Sequence, residues 1–207
     1  MDILNTFTLK SNRQIKINFD GGDLSSDAGL LLIKEFAAKI GFTKLIQKKF
    51  KTNDKSIRFH KDDENLMQMI YQIISAYFED DRADELTLDP VFNAVLEKSG
   101  LASQPTLSRF FNRMDQDTLV QFDDIDRCLR DIIYSIKRPE HMLLDLDSTL
   151  LGTYGNQEGE GFNFHYQAHG YHPLLCYDGL TGDLLKAELR NGTIYCSNDA
   201  DKFMEPL

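Results

Sequence analysis

The sequence predicts an α+β chain, with a mostly helical N-terminal region that opens on a β-hairpin and a C-terminal region of antiparallel strands. Two observations carry this. Up to about residue 138 apolar side chains recur at i, i+3, i+4 and i+7, the spacing of one helix face. From His141 onward that period disappears, and short apolar runs are separated by glycine-bearing turns, as in strands. The 207 residues, 42% of them hydrophobic, suffice for one or two packed cores. The change of period divides them into regions 1–138 and 139–207.

The elements follow in order. Residues 5–19, NTFTLKSNRQIKINF, alternate apolar and polar around a KSNRQ turn and predict the hairpin. After DGGDLSSDAG, with Ser25, Ser26 or Asp27 as N-cap, LLLIKEFAAKIGF predicts a helix closed near Gly41. In DDENLMQMIYQIISAYFED the residues Leu66, Met69, Ile70, Ile73, Ile74, Tyr77 and Phe78 form one apolar stripe, read as core, with acids gathered at the first turn. Asp89 and Pro90 supply an N-cap and a first helical residue, Gly100 a stop, and a second short helix starts near Ser103 to Pro105. A long amphipathic helix over DTLVQFDDIDRCLRDIIYSIKR turns Leu119, Phe122, Ile125, Leu129, Ile132, Ile133 and Ile136 inward, and Pro139 ends it.

Beyond it, MLLDLDSTL predicts a buried strand, HPLLCYD a second and LLKAELR a third, the last two joined by the turn GLTGD. SNDADKFMEPL starts like a helix, with Ser197 or Asn198 as cap. Three consecutive antiparallel strands and then a helix are how a ribonuclease-H-like fold begins, so region 139–207 reads as an incomplete domain of that kind.

Composition excludes several classes. No apolar run approaches the roughly 18 residues of a membrane span, and the N-terminus lacks the pattern of a signal peptide, which predicts a cytoplasmic protein. Cys128, Cys176 and Cys196 are odd in number and far apart, against both a disulfide framework and a zinc ribbon. The net charge of -10 hides an asymmetry: residues 1–61 carry 12 Lys and Arg against 6 Asp and Glu, and residues 62–207 carry 11 against 27. Lys44, Lys48, Lys49, Lys51, Lys55, Arg58 and Lys61 are candidates for neutralising DNA phosphates, although the same run would also serve as a solvated charged face. The helix, turn and helix after Asp89 fit a helix-turn-helix, with Arg109 and Arg113 among the residues of its second helix. Two-helix hairpins that only pack are also common, and the adjacent EDDRADE would repel phosphates.

The blocks GGDLSSDAGLLLIKEF, YFEDDRADELTLDPVF, SQPTLSRFFNR, LDLDST, QEGEGFNFHYQAHGYHPLLCYDGLTGDLL and AELRNGTIYCSNDA, in this order, resemble the DDE transposases of bacterial insertion sequences. The resemblance implies a ribonuclease-H-like catalytic domain that cuts phosphodiesters at an element's ends and joins the new 3′ hydroxyl to target DNA. It also implies two divalent ions, Mg²⁺ or Mn²⁺, held by two Asp and one Glu. The first of these maps onto Asp147, which directly precedes Ser148 and Thr149, and Asp145 is the second choice or a support. Two residues apart on a strand, both carboxylates leave the same face, and hard cations prefer such oxygen ligands. The plainer reading is that the two acids cap a strand end. In the resembled enzymes the remaining Asp and Glu come from later elements. The expectation is therefore an N-terminal portion, inactive alone and not a tight metal binder. Its partners would be terminal-repeat and target DNA, and other subunits through self-association, with no membrane. The alternative is a non-catalytic DNA-binding or subunit-pairing remnant.

Other candidates are weaker. His165, His169 and His172 are numerous enough for a zinc site but lack a framework that would fix them. Asp178 reads as turn chemistry, and nothing ranks Glu158 or Glu160.

Overall fold

The structure is a computed structural model that describes residues 6–19, 21 and 24–205. It is α+β, as the periodicities predict. The chain forms two compact units, Met1–Ile132 and Ile133–Leu207, which are described separately.

In the first unit, β1 (Thr6–Thr8) and β2 (Lys16–Asn18) pair antiparallel with Phe7 opposite Ile17, which is the expected hairpin. The helix α1 (Leu30–Ile40) ends where predicted, because Gly41 takes a left-handed conformation at φ 76° that costs glycine little. Its start differs from expectation. No side chain caps it, and the carbonyls of Asp27, Ala28 and Gly29 accept the first N–H groups instead. The Asp27 carboxylate accepts from the Tyr77 hydroxyl at 3.1 Å. A helix that the basic run concealed, α2 (Phe42–Lys49), follows directly, and only Ile46 of its residues is buried.

The helix α3 (Asp62–Ile74) is shorter than its apolar stripe, since Ala76 adopts φ 65° and turns the chain away. The buried face is also rotated from the predicted one, toward Asn65, Met67, Gln68, Tyr71 and Gln72 beside Leu66. Ile73, Ile74 and Phe78 are exposed. Polar side chains tolerate this burial where backbone satisfies them: the Gln68 amide donates to the Ala102 carbonyl at 2.9 Å and accepts from the Ala102 N–H at 2.8 Å. Burial also pushes the Tyr71 phenol up to about 12.

After α4 (Arg82–Leu86), α5 (Pro90–Leu96) starts as predicted, with the Asp89 carboxylate accepting from the N–H groups of Val91 and Phe92. It stops before Gly100. Glu97 takes the left-handed position, and its carboxylate pairs with Lys34 at 3.0 Å. The remaining helices are α6 (Gln104–Phe111), which follows Ser103 without a side-chain cap and has Pro105 in its first turn, and α7 (Gln116–Ile136). α7 buries Ile125 and half-buries Phe122 and Leu129 but leaves Leu119, Ile133 and Ile136 exposed, contrary to the predicted inward stripe. One core, centred on Phe50, Phe92 and Phe110, unites α1, α2, α3, α5, α6 and α7.

In the second unit the three predicted strands are β3 (Leu144–Ser148), β7 (Leu174–Asp178) and β8 (Leu184–Glu188), antiparallel in the order β3-β7-β8. Between β3 and β7 lies a second sheet that the sequence pattern does not announce. It contains β4 (Leu151–Gly152), β5 (Gly161–Asn163) and β6 (Ala168–Tyr171) in the order β4-β6-β5. The short α8 (Ala200–Met204) lays Phe203 over Leu174, Cys176 and Leu185. It is preceded by Asp199 in a left-handed conformation, not by a Ser197 or Asn198 side-chain cap. Since that cluster draws its buried residues from β7, β8 and α8, β3 is the edge of its sheet, and its side chains are exposed where the apolar run predicts burial.

Candidate active site and DNA-contact residues

The site is built on β3. Asp145 lies opposite Tyr177, and Asp147 opposite Leu175, so the pleat sends both carboxylates to the same face of the sheet. Both are exposed, and among the described residues no cation lies within ion-pair distance of either. Asp147 Oδ1 accepts from the Ser148 N–H at 2.8 Å, which orients the carboxylate along its own strand.

Asp178, the third acid near this strand, has another task. It is shut off from solvent, and its Oδ1 accepts from the N–H groups of Leu180 at 3.0 Å and Leu143 at 3.2 Å. The Leu180 N–H, joined by that of Leu143, holds the carboxyl below its usual range. Asp178 thus closes the turn between β7 and β8 and fixes the entry to β3, the turn chemistry expected of it.

Two of the three histidines, His165 and His172, line one cavity and both pack against the Tyr166 ring. His169 Nδ1 faces Glu160 at 2.9 Å, and His172 Nδ1 donates to the Ile194 carbonyl at 2.8 Å. Among the described residues no group of three or more His, Cys, Asp or Glu could hold a metal ion. The two β3 carboxylates suit a hard divalent cation in donor type and in sharing a face, and they supply only part of a complete ligand set.

The basic candidates fall into three settings. Lys44, Lys48 and Lys49 ride on α2, and Lys49 lies 3.5 Å from Asp124. Lys51, Lys55, Arg58 and Lys61 line a cavity of about 390 Å³ on the segment that follows, together with Asp54, Asp62 and Asp63. Arg58 pairs with Asp54, whose carboxyl the Ser56 hydroxyl and the guanidinium hold well below the usual range. Arg109 is exposed on α6. Arg113 lies past the end of α6, where its guanidinium pairs with the shielded Asp62 carboxylate and donates to the Arg109 carbonyl at 2.7 Å. Of the helix-turn-helix pair, α5 packs on α1 and α3, and α6 on α3 and α4.

The model of transposase DDE domain group 1 matches residues 7–207, nearly the whole chain. The chain belongs to this family. Membership makes its activity class that of a transposase DDE domain, engaged in transposition and recombination, a class that works on DNA and generally with divalent metal. Neither the curated proteins nor the solved structures yield a match. Among the described residues no helix is long and apolar enough to cross a membrane.

Sequence reasoning missed the rings gathered beside Ser148 of β3, Phe164, Tyr166 and Tyr195, and named His165 and His172, which line the same cavity, only as zinc candidates. Phe164 and Tyr166 sit on a turn made by Asn163, and Tyr195 follows an Asn-Gly pair; those asparagines were the available signal.

Proposed function

We propose that this chain provides the DNA-contacting and first catalytic portion of a transposase that cleaves phosphodiesters and transfers the new strand end. Asp147 is the metal ligand and catalytic residue, supported by Asp145. The family match carries this reading, with the LDLDST block lying on a strand that turns both carboxylates to one face. When bound, divalent ions would stabilise the attacking and leaving oxygens of the displacement. The chain's own contribution is to mount two oxygen ligands on a hydrogen-bonded strand, without a neighbouring cation to neutralise them. On this reading the site of action is the cytoplasm, where the DNA is.

DNA contact is assigned to Lys44, Lys48, Lys49, Lys51, Lys55, Arg58 and Lys61, with Arg109 as a further surface cation. Arg113, committed to Asp62, serves the fold first. The first test is duplex binding by fluorescence anisotropy over a salt series. Removing one phosphate-neutralising side chain should reduce the slope of log K against log salt by about 0.9. Replacing Lys48, Lys49 and Lys51 by Glu should therefore weaken binding and flatten the slope, and unchanged affinity would remove this patch. For the carboxylates, Mn²⁺ should broaden NMR signals around Ser148 and Leu175, and Asp147→Asn should abolish the effect. DNA binding without any such response would favour a non-catalytic DNA-binding or subunit-pairing role.

A further inference from the structure

A cavity of about 560 Å³ opens beside Ser148, the residue after Asp147. One wall is the turn Asn163 to Tyr166, and the other is the segment Gly192 to Cys196. Phe164 and Tyr195 stand in it with 76% and 66% of their surface exposed, an unusual amount of aromatic area to leave in water. Among the described residues that line it, none is an acid, a lysine or an arginine. The walls are braced: Asn163 donates to the Gly192 carbonyl at 2.9 Å and accepts from the N–H groups of His165 and Tyr166. At Gly192 a Cβ would fall 2.2 Å from the Gly161 carbonyl oxygen, so backbone packs against backbone there. His172, buried in the floor, donates through Nδ1 to a carbonyl that can only accept. In the neutral ring Nε2 is then an acceptor.

We infer that this cavity takes one unstacked nucleobase of the DNA strand presented to Asp147, stacked against Phe164, Tyr166 and Tyr195 and offered an acceptor by His172 Nε2. This rests on the proposed function, from which the DNA comes. Two histidines, His165 and His172, and the hydroxyl residues Ser148 and Thr193 also line it. Aromatic walls and a fixed polar floor, without a lysine or an arginine, suit a flat ring with donors on its edge better than a phosphate. The charged patch of Lys48, Lys49 and Lys51 lies in the other unit and supplies attraction without regard to bases.

The test uses the full chain and two single-stranded oligonucleotides of equal length and charge, one with bases and one with abasic sites throughout. The base-bearing strand should bind on the order of ten-fold tighter, the gain of stacking one base. With 5-iodouracil in the strand, irradiation should cross-link it to the peptide carrying Phe164 to Tyr166 or to that carrying Tyr195. Tyr166→Leu with Tyr195→Leu should abolish the ten-fold preference while duplex affinity is unchanged. Equal binding of the two strands, or cross-links confined to other peptides, would overturn the inference and leave the proposed function standing. Failure to bind any oligonucleotide would overturn both.

Discussion

Asp147 and Asp178 bear the same functional group on neighbouring strands, and their surroundings give them opposite uses. The first is exposed with one oxygen turned to its own strand; the second is closed from solvent and spends Oδ1 on two N–H groups. Because the folded Asp178 carboxyl is held below its ordinary value, its stabilising effect is complete above that ordinary value. The effect is lost as pH falls through the lower folded value. Acidification from pH 6 to 3 should loosen the turn between β7 and β8, followed by the NMR shifts of Leu143 and Leu180. The Asp178→Asn variant should lose part of that pH dependence; an identical pH profile would show that other acids control it. At Asp89 the effect is a helix cap with two accepted N–H groups. Asp89→Ala should lower stability by about 0.5–2 kcal/mol in chemical denaturation.

At the scale of elements, the second sheet of the C-terminal unit depends on glycine for close approach. In β6 a Cβ on Gly170 would meet the Leu151 carbonyl oxygen of β4 at 2.2 Å, and that atom belongs to backbone that cannot swing away. Gly170→Ala should separate β4 from β6, which hydrogen exchange would register as faster loss of the Thr153 amide, now donating to the His169 carbonyl at 3.1 Å. Protection unchanged from the parent chain would mean the sheet can bow to accept a methyl group. The cavity beside Ser148 should also change shape, since Asn163 of β5 holds one of its walls.

At the scale of the molecule, the two units differ in how much they bury. The first closes over Phe50, Phe92 and Phe110, none more than 2% exposed, while the second has a small cluster in which Phe203 of α8 covers Leu174, Cys176 and Leu185. Among the described residues β3 pairs only with β7, and Leu143 and Leu144 remain exposed beside it. Such an edge offers unpaired backbone groups to another chain. Hydrogen exchange at low concentration should show a slow, cooperative first unit. In β3 only alternate amides, those facing β7, should be protected. Protection of every amide from Leu144 to Asp147 would show that the free edge is covered, with sedimentation deciding whether a second copy covers it.

The sequence by itself determined the elements that local rules control. Period and turn chemistry marked the hairpin of β1 and β2, the end of α1 at Gly41, the cap at Asp89, and the three strands that carry Asp145, Asp147 and Asp178. It also determined that both β3 carboxylates share a face, because alternation is a property of any strand. Only the tertiary structure decided which face of α3 is buried, since backbone groups of Ala102 far along the chain satisfy Gln68 and let amides displace Ile73 and Ile74 from the core. It likewise decided that Arg113 turns to Asp62, that the side chains of β3 are left exposed, and that the stretch from Leu151 to Tyr171 becomes a sheet beside an aromatic cavity. Each of these depends on partners distant along the chain or on close backbone packing, and neither leaves a periodic trace in the sequence.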